Sequence, residues 1–509
     1  MADISTQKFT NIGGDNLIVL PDTTGASNGD VLTYNTTNGI VWNAPKGGGA
    51  GTELTAGTDL TINEGIISVD TTSTAAGNYS FAVGENCYAS DYGDTFACGF
   101  KTSAIGYASH AEGEGTLAYL DDAHAEGYET SAFGWQAHAE GWKTYANDEA
   151  HAEGECTSAI GCASHAEGES TVANNEATHS EGYSTSAIGF ASHTEGSQTY
   201  SFGDCSHAEG EGTSALGIIS HTEGIKTYTE TNSSGSHAEG DKTSAIGNSS
   251  HTEGFMTYAK GSCSHAEGDG TSAIGYGSHA EGQQTFASAD ISHAEGQQTS
   301  AGFCSHAEGG RSKAYNWSHS EGNSTLASGN YSHSEGYNTS AIDSYAHSEG
   351  NNTLAKRNCS HAEGDGTSAM EQYSHTEGHN TVAHGDHSHA EGDGTTAYYP
   401  YSHTEGNMTI ASAYWSHTEG SQTYSFGDCS HAEGSSTSSF GVGSHTEGLC
   451  TLAYDDYMHV CGQYNATDRS ALFVIGNGTS TNHSDAMIVS ANGVVSAYDY
   501  YNAAGDKLS

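Results

Sequence analysis

Small apolar and polar residues alternate along most of the chain with a period of 14 residues. The repeat reads Ser-His-Ala-Glu-Gly, two variable positions, and then Thr-x-Ala, as in residues 164–173. Within each half, serine, threonine and alanine share one parity while histidine and glutamate share the other, and this alternation is typical of short β-strands. Glycine permits a turn after each half. The pattern predicts two strands per coil, with small residues facing inward and histidine and glutamate facing outward.

The repeat is too regular to arise by chance. The motif His-x-Glu-Gly occurs 25 times between His110 and His445. Consecutive histidines are 14 residues apart except for a spacing of 16 before His237 and of 13 before His151, His306 and His319. A helix is excluded because glycine in each half would cost about 1 kcal/mol per position. Coils that stack on their neighbours and bury a thin shared core indicate an all-β, parallel β-solenoid.

Composition separates this chain from ordinary globular domains. Glycine accounts for 68 of 509 residues, and alanine is the most frequent residue of the 34% hydrophobic fraction, which lacks the blocks of large aliphatic residues that build a core. Low hydrophobicity with a formal net charge of -50 would suggest disorder. The strict period overrules that interpretation and indicates a fibrous structural or adhesive protein.

The charge balance and the apolar runs exclude two classes of partner. Only 13 basic residues stand against 63 acidic ones, so we expect no surface that neutralises nucleic-acid phosphates. The longest apolar runs, residues 16–20 and 471–475, are too short to span a bilayer, so we expect no membrane insertion. The start, MADISTQKFT, lacks a hydrophobic signal region, and we expect no secretion by that route.

The eleven cysteines are expected to be free thiols made in a reducing cytoplasm. Five of them occupy the same place in the repeat but in coils that are not adjacent, which puts them too far apart to bridge. They are Cys205, Cys263, Cys304, Cys359 and Cys429.

Several coils read Thr-Ser-Ala-Ile-Gly, among them residues 102–106, 157–161 and 243–247. On these residues, the repeat over 76–462 resembles the head repeat of trimeric autotransporter adhesins. The resemblance implies a left-handed parallel β-roll in which three chains lie side by side as a homotrimer. Histidine and glutamate replace the valine and isoleucine usual in that family, so the resemblance implies a polar surface between subunits.

The flanks favour a viral fibre over a bacterial adhesin. Residues 29–42 and 60–69 resemble modules at the start of bacteriophage tail-fibre proteins, the second being two short strands around Asn-Glu-Gly. Residues 471–489 resemble the segment that, in phage fibres, precedes a trimerising chaperone removed by self-cleavage. A bacterial autotransporter needs a secretion signal and a membrane anchor, and neither is found in the sequence.

These resemblances imply four regions and a set of partners. The regions are a virion-attachment module (1–46), a Gly-rich joint with a short hairpin (47–75), the β-roll (76–462) and a C-terminal β cap (463–509). The N-terminus is expected to contact a baseplate, tail or capsid protein of the virion, after assembly in the host cytoplasm. We expect the fibre to attach to a glycan or protein of a bacterial surface. The alternatives are a head-decorating or spacer fibre without its own receptor site, and a fragment of a bacterial trimeric adhesin.

Histidine and glutamate two residues apart share one face of a strand, and stacking places like residues about 4.8 Å apart. Bare glutamates at that spacing repel, so the adjacent histidine is the expected compensating donor. We predict a structural His/Glu ladder between subunits, with histidine pKa values raised and the stabilisation present at low and neutral pH. Its representative residues are His110, Glu112, His165, Glu167, His207, Glu209, His265, Glu267, His361, Glu363, His431 and Glu433.

Other uses of the ladder are less favoured. Histidine and carboxylate suit divalent metals, but a periodic array lacks the closed ligand shell of a dedicated site, so we expect no metal and no cofactor. A solvent-facing receptor surface remains an alternative. We expect that the chain is not an enzyme, because catalysis requires one unique arrangement of side chains, whereas every coil here carries the same His/Glu pair.

Outward aromatic side chains are candidate receptor contacts, since they suit sugar stacking as well as subunit interfaces. They are Tyr200, Phe202, Tyr424, Phe426, Tyr498, Tyr500 and Tyr501, with the insertion at residues 231–235 as a further candidate. An ice-binding threonine array is not expected, because threonine faces inward wherever alanine does.

Overall fold

The computed structural model describes residues 31–35, 39–43, 60–63, 66–69, 72–466, 471–497, 500–501 and 507–508, with side chains described for 72–466 and 471–497. All the regular secondary structure of these ranges is β-strand. None of the described residues forms a helix long and apolar enough to cross a membrane. The chain divides into two compact units, Met1–Gly235 and Ser236–Ser509, and each is a stack of coils.

Each coil contributes a long strand, which in most coils is five residues beginning at the repeat histidine, and a short strand of two residues. Within each unit, long strands pair in parallel with long strands, placing His165 opposite His179 and Gly268 opposite Gly282. Short strands pair in parallel with short strands in the same way, with Ala159 opposite Ala173. The predicted all-β solenoid of 14-residue coils is therefore confirmed.

In the first unit, an antiparallel hairpin precedes the coils. Val31–Asn35 and Gly39–Asn43 pair separately, and the hairpin consists of Leu60–Asn63 and Ile66–Val69. The long strands are Phe81–Glu85, Phe96–Phe100, His110–Glu114, His124–Tyr128, His138–Trp142, His151–Glu155, His165–Glu169, His179–Tyr183, His193–Ser197, His207–Glu211 and His221–Ile225. The short strands are Thr74–Ala75, Tyr88–Ala89, Ser103–Ala104, Leu117–Ala118, Ser131–Ala132, Tyr145–Ala146, Ser158–Ala159, Val172–Ala173, Ser186–Ala187, Tyr200–Ser201, Ser214–Ala215 and Tyr228–Thr229.

The second unit continues the same two series. Its long strands are His237–Asp241, His251–Phe255, His265–Asp269, His279–Gln283, His293–Gln297, His306–Gly310, His319–Asn323, His333–Tyr337, His347–Asn351, His361–Asp365, His375–His379, His389–Asp393, His403–Asn407, His417–Ser421, His431–Ser435, the shorter His445–Thr446, and His459–Gln463. Its short strands are Ser244–Ala245, Tyr258–Ala259, Ser272–Ala273, Phe286–Ala287, Ser300–Ala301, Lys313–Ala314, Leu326–Ala327, Ser340–Ala341, Leu354–Ala355, Ser368–Ala369, Val382–Ala383, Thr396–Ala397, Ile410–Ala411, Tyr424–Ser425, Ser438–Ser439 and Leu452–Ala453. Ala471–Asn477, Asp485–Ser490, Val495–Ala497, Tyr500–Tyr501 and Lys507–Leu508 follow.

The core of each coil is made of alanine, serine and threonine. In the coil that begins at Ser164, the inward residues Ser164, Ala166, Thr171 and Ala173 are at most 2% exposed. The Ser164 hydroxyl donates to the Gly161 carbonyl at 2.7 Å, which closes the preceding turn. Small side chains let the two sheets of a coil lie close together, and the predicted inward orientation of the small residues is confirmed.

The glycine that ends each His-x-Glu-Gly motif lies against the next coil. Gly268 has a φ of +114°, and a Cβ added there would lie 2.0 Å from the carbonyl oxygen of Gly282. The backbones of adjacent coils approach so closely at this point that no side chain fits between them.

A second special position, here called the corner position, is the residue two before each repeat histidine. Its backbone is left-handed, with φ of 54° at Ala163 and 60° at Tyr331. Its amide joins the backbone ladder, as when Ile291 N–H donates to the Tyr276 carbonyl at 2.8 Å. Residues as different as alanine, glutamate, serine, cysteine, isoleucine, histidine, tyrosine, tryptophan and glycine occupy the position in different coils.

Ile291 is strained at its corner position, and replacing it should stabilise the chain. Its φ is 55° and it is 62% exposed, so a β-branched side chain there carries a cost of about 1–2 kcal/mol with little burial in return. Asparagine tolerates this backbone. Ile291→Asn is expected to raise the free energy of unfolding by about 1 kcal/mol in thermal melts followed by circular dichroism.

Ile274→Asn is the matched control, because Ile274 lies in a neighbouring coil outside the corner position and is half-buried. Ile274→Asn should relieve no backbone strain, and it should lose part of the buried apolar surface of Ile274. Equal destabilisation by the two substitutions would contradict the assigned strain at the corner.

The second unit ends in larger side chains than the coils contain. Met458, Val460 and Val474 are buried together there. Ala471–Asn477 pairs in parallel with the last long strand and antiparallel with Asp485–Ser490. In the first unit, the predicted hairpin at 60–69 is confirmed, and its second strand pairs in parallel with the first long strand.

All eleven cysteines are free, as expected from their spacing. The proposed regions keep the status of predictions, since most of 1–46 lies outside the described residues. The hand of the coils and the number of chains in the assembly likewise remain predictions.

Candidate functional site

The outward histidines of the long strands, here called the histidine ladder, stack ring upon ring within each unit. His193 and His207 have ring centroids 4.6 Å apart and planes 13° apart. His361 and His375 repeat this geometry at 4.7 Å and 10°. Parallel pairing in register forces the stack, because each histidine is directly opposite the next one. The ladder side chains in ion-pair range of glutamate are about one-third exposed, from 33% at His431 to 40% at His179.

Each glutamate of the motif lies beside its histidine in the same strand. The Nε2–Oε2 distance is 3.4 Å for His110–Glu112 and 3.8 Å for His265–Glu267. The predicted pairs His165–Glu167, His361–Glu363 and His431–Glu433 lie within this range, at 3.5, 3.7 and 3.6 Å. The Nε2 atoms of the predicted ladder residues His165, His207, His265, His361 and His431 are all buried without a hydrogen-bond partner. These separations exceed those of strong charge-assisted hydrogen bonds.

The predicted rise in histidine pKa is wrong for ten ladder histidines of the described residues, whose pKa is lowered instead. Burial, together with the neighbouring histidines of the stack, lowers the pKa of His361, His389 and His417 from 6.5 to about 4. The pKa of His207 is lowered by the same two causes, although Glu209 and its neighbours act in the opposite direction. The stack covers Nε2 while the carboxylates remain too distant to compensate. The imidazoles whose pKa is lowered are therefore neutral at pH 7.

His379 shows what a close carboxylate does to an imidazole. It lies at the end of its long strand, outside the ladder, and its Nδ1 is 2.7 Å from Asp393 Oδ1. That hydrogen bond raises the pKa of His379. The contrast shows that the distance to the carboxylate and the burial by neighbouring rings decide whether the pKa of a histidine is raised or lowered.

Several ladder triads bring His, Glu and His ligand atoms within 4.8 Å of one another, among them His293, Glu295 and His306. The two rings of this triad are nearly parallel, at 14° and 4.6 Å. Nitrogen–metal bonds of about 2.0–2.1 Å lie in the ring plane, so parallel rings at this spacing do not converge on one ion. The expected absence of a metal site stays a prediction.

The predicted aromatic contacts form small exposed patches. Tyr200 and Phe202 are exposed in the first unit. In the second unit, the rings of Tyr424 and Phe426 are 6.1 Å apart. Phe440 stacks on Phe426 at 5.0 Å and Tyr454 stacks on Phe440 at 5.0 Å. Sequence reasoning missed these last two, although their 14-residue spacing from Phe426 would have identified them.

Sequence reasoning also missed exposed aromatic runs along the corner position of the second unit. Trp317 stacks on Tyr331 at 5.5 Å, and Tyr331 on Tyr345 at 5.2 Å. A second run follows, made of Tyr373, His387, Tyr401 and Trp415. Each ring covers the face of the next, so edges rather than faces meet the solvent. Such runs suit a protein interface better than sugar stacking.

A groove of about 580 Å³ separates the first corner run from the histidine ladder. Trp317 and Tyr331 form one side, and His306, His319 and His333 form the other. The other predicted receptor contacts are the three tyrosines near the C-terminus. Tyr498 lies outside the described residues, and Tyr500 and Tyr501 are described only as a strand paired with Lys507–Leu508.

Two segments of the chain, residues 99–119 and 266–288, match the family profile of the YadA head domain repeat. Each contains a Thr-Ser-Ala-Ile-Gly coil, at 102–106 and 271–275. No curated protein matches the chain. The coils are thus similar to an adhesin head repeat over these two segments.

Proposed function

We propose that the chain is the adhesive shaft of a homotrimeric fibre that attaches a phage particle to a bacterial cell surface. The observation that carries this proposal is the match of two segments to the YadA head domain repeat within a solenoid whose coils repeat the same strands. Repeated identical coils present many equal contacts, and such contacts bind a surface by avidity even when each one is weak.

Exposed apolar surface supports the assembly of several chains. The corner runs leave Trp317, Tyr345 and Trp415 exposed beside the partly exposed histidine ladder. Contiguous apolar patches of this kind on a soluble chain mark interaction surfaces. A trimer would cover them, and it would also bury the polar His/Glu face as the sequence predicts.

The phage assignment rests on the flanking segments, since the repeat alone fits either a viral or a bacterial fibre. The antiparallel strand pair Val31–Asn35/Gly39–Asn43 and the antiparallel hairpin Leu60–Asn63/Ile66–Val69 lie in the two segments that resemble phage-fibre modules. A bacterial trimeric adhesin is the second candidate, and the YadA match favours it equally.

We propose that the chain binds and does not catalyse. The titratable groups of the ladder recur coil after coil, whereas catalysis concentrates one arrangement in one pocket. A virion protein assembled in a reducing cytoplasm is consistent with eleven free cysteines.

The assembly and its attachment can be tested on the full chain. Light scattering is expected to give a mass near three times 52.6 kDa, and the fluorescent trimer should bind whole bacteria of its host and be displaced by unlabelled chain. A stable monomer, or cell binding that unlabelled chain does not reduce, would contradict the proposal. Antibodies against the chain should label virions, and labelling of bacterial surfaces alone would favour the bacterial adhesin.

A further inference from the structure

A groove of about 510 Å³ lies on the second unit where the chain passes from the long strands to the short strands. It is lined by Gln298, Arg311, Lys313, Ser324 and Leu326, with Ser340 at its edge. These residues belong to consecutive coils, since Lys313 pairs with Ser300 on one side and Leu326 on the other.

The groove coincides with a local change in the repeat. The spacings before His306 and His319 are both 13 residues, so two shortened coils follow one another. The short strands here place the large side chains of Lys313 and Leu326 between the small side chains of Ser300 and Ser340. The result is a groove lined by the cationic side chains of Arg311 and Lys313 and the aliphatic side chain of Leu326.

Two of the 13 basic residues of the chain meet in this groove. The Arg311 Nε–H donates to Gln298 Oε1 at 3.1 Å, and this hydrogen bond leaves the terminal amino groups of the guanidinium available to a ligand in the groove. Among the described residues, neither Arg311 nor Lys313 has a carboxylate within ion-pair distance. Lys143, Lys242 and Arg357, in contrast, are paired with acidic residues.

The surroundings of the groove are amide-rich. Where other coils carry Asp269 or Asp365, the coils here carry glutamine and asparagine, and the amides hydrogen-bond from coil to coil. Gln297 donates to Gln283 at 2.7 Å, and Gln298 donates to Gln284 at 3.0 Å. The groove is therefore a basic and neutral window on a chain of formal charge -50.

The lining indicates the class of ligand. A guanidinium held in place and an ammonium recognise a carboxylate or phosphate, and amides and hydroxyls recognise sugar hydroxyl groups. The described residues that line the groove include no aromatic side chain, whereas protein interfaces centre on tyrosine, tryptophan or phenylalanine. These features favour an acidic saccharide over a protein.

We propose that this groove binds an anionic saccharide, with Arg311 and Lys313 holding its carboxylate or phosphate group. The inference rests on the proposed adhesive function and names the chemistry of one of its contacts. The coils run side by side at about 4.8 Å, so an extended saccharide lying across them meets Gln298, Arg311 and Ser324 in turn.

The test is calorimetry of the full chain with three probes: tetragalacturonate, a phosphorylated tetrasaccharide and a neutral galactose tetrasaccharide. One or both anionic probes should bind, the neutral one should not, and added salt should weaken the binding. The anionic probe that binds identifies which group the groove takes. Failure of both anionic probes, or equal binding of the neutral one, would overturn the inference.

The double variant R311Q/K313Q should bind the anionic probe about tenfold more weakly or worse. K356Q/R357Q is the matched control, because it removes the same two charges from neighbouring positions of the same unit, outside the groove. An equal loss in both variants would show general electrostatic attraction and overturn the site, as would equal binding of poly-glutamate. Unchanged melting curves establish that both variants fold.

The outcome is separable from that of the proposed function. If the trimer binds cells but no anionic saccharide, this groove is not a glycan site and the adhesive function stands. If the trimer fails to bind cells while anionic saccharides bind and R311Q/K313Q abolishes that binding, the site stands without the proposed function.

Discussion

Replacing Gly268 with alanine is expected to disrupt the second unit. The new Cβ would lie 2.0 Å from the Gly282 carbonyl oxygen, and the φ of +114° is itself closed to L-residues. The clashing atom belongs to the backbone of a paired strand, so no side-chain rotation relieves it. We expect the free energy of unfolding to fall by more than about 4 kcal/mol, because the coils on either side of Gly268 can no longer pack against each other.

Gly277→Ala is a close control in the adjacent turn. Gly277 occupies a corner position with φ of 59°, and a Cβ there meets nothing within 4 Å. Alanine already occupies the corner at Ala163, Ala177 and Ala191. Thermal melting and limited proteolysis should show near-native behaviour for G277A, and a strong loss of melting temperature or new cleavage near residue 268 for G268A. Similar curves for the two variants would refute the assigned coil contact.

Acidification is expected to unfold the coils between about pH 6.5 and pH 4. Ten ladder histidines among the described residues have a lowered pKa, and for His361, His389 and His417 the value falls from 6.5 to about 4. In this interval the unfolded chain binds more protons than the folded chain, so stability falls as pH falls. The melting temperature should be level above pH 7 and drop by more than about 10 °C by pH 4.5.

The charged groups that face these rings are the flanking histidines of the ladder and the glutamates of the same and adjacent strands, such as Glu363 and Glu391. The triple variant H361Q/H389Q/H417Q removes the three most shifted histidines and should lose part of the acid sensitivity. H379Q is the control, because that imidazole lies outside the ladder and its pKa is raised by Asp393. A level melting temperature down to pH 4.5, or a triple variant as acid-sensitive as the parent chain, would contradict the assignment.

Much of this fold could be predicted because each position of the repeat has one structural task. Ser164, Ala166 and Thr171 are buried where the alternation places them, and glycine occurs where two backbones touch. The hairpin at 60–69 followed from its alternating strands and its Asn-Glu-Gly turn. One repeat unit specifies the stack, because every neighbour of a coil is another coil.

The chemistry of the ladder could not be obtained in the same way. Adjacency in the sequence suggested that His361 and Glu363 pair closely, yet their separation of 3.7 Å is too long to compensate for burial. Burial, followed by the histidines of adjacent coils, 14 residues away, lowers the pKa of His361 instead. Likewise, the groove at Arg311 and Lys313 depends on two shortened coils and on small neighbours, which the consensus of the repeat conceals.

The ends of the coil stacks determine whether such a chain remains a separate molecule. An open parallel edge exposes unpaired amides and carbonyls, and a second copy with the same period could continue the sheet indefinitely. The first unit opens with the antiparallel hairpin Leu60–Asn63/Ile66–Val69, and the second unit turns back through Ala471–Asn477 and Asp485–Ser490. Met458, Val460 and Val474 also replace the alanine-sized core. A foreign coil therefore meets the wrong strand direction and the wrong core width, which works against end-to-end polymerisation into amyloid-like filaments.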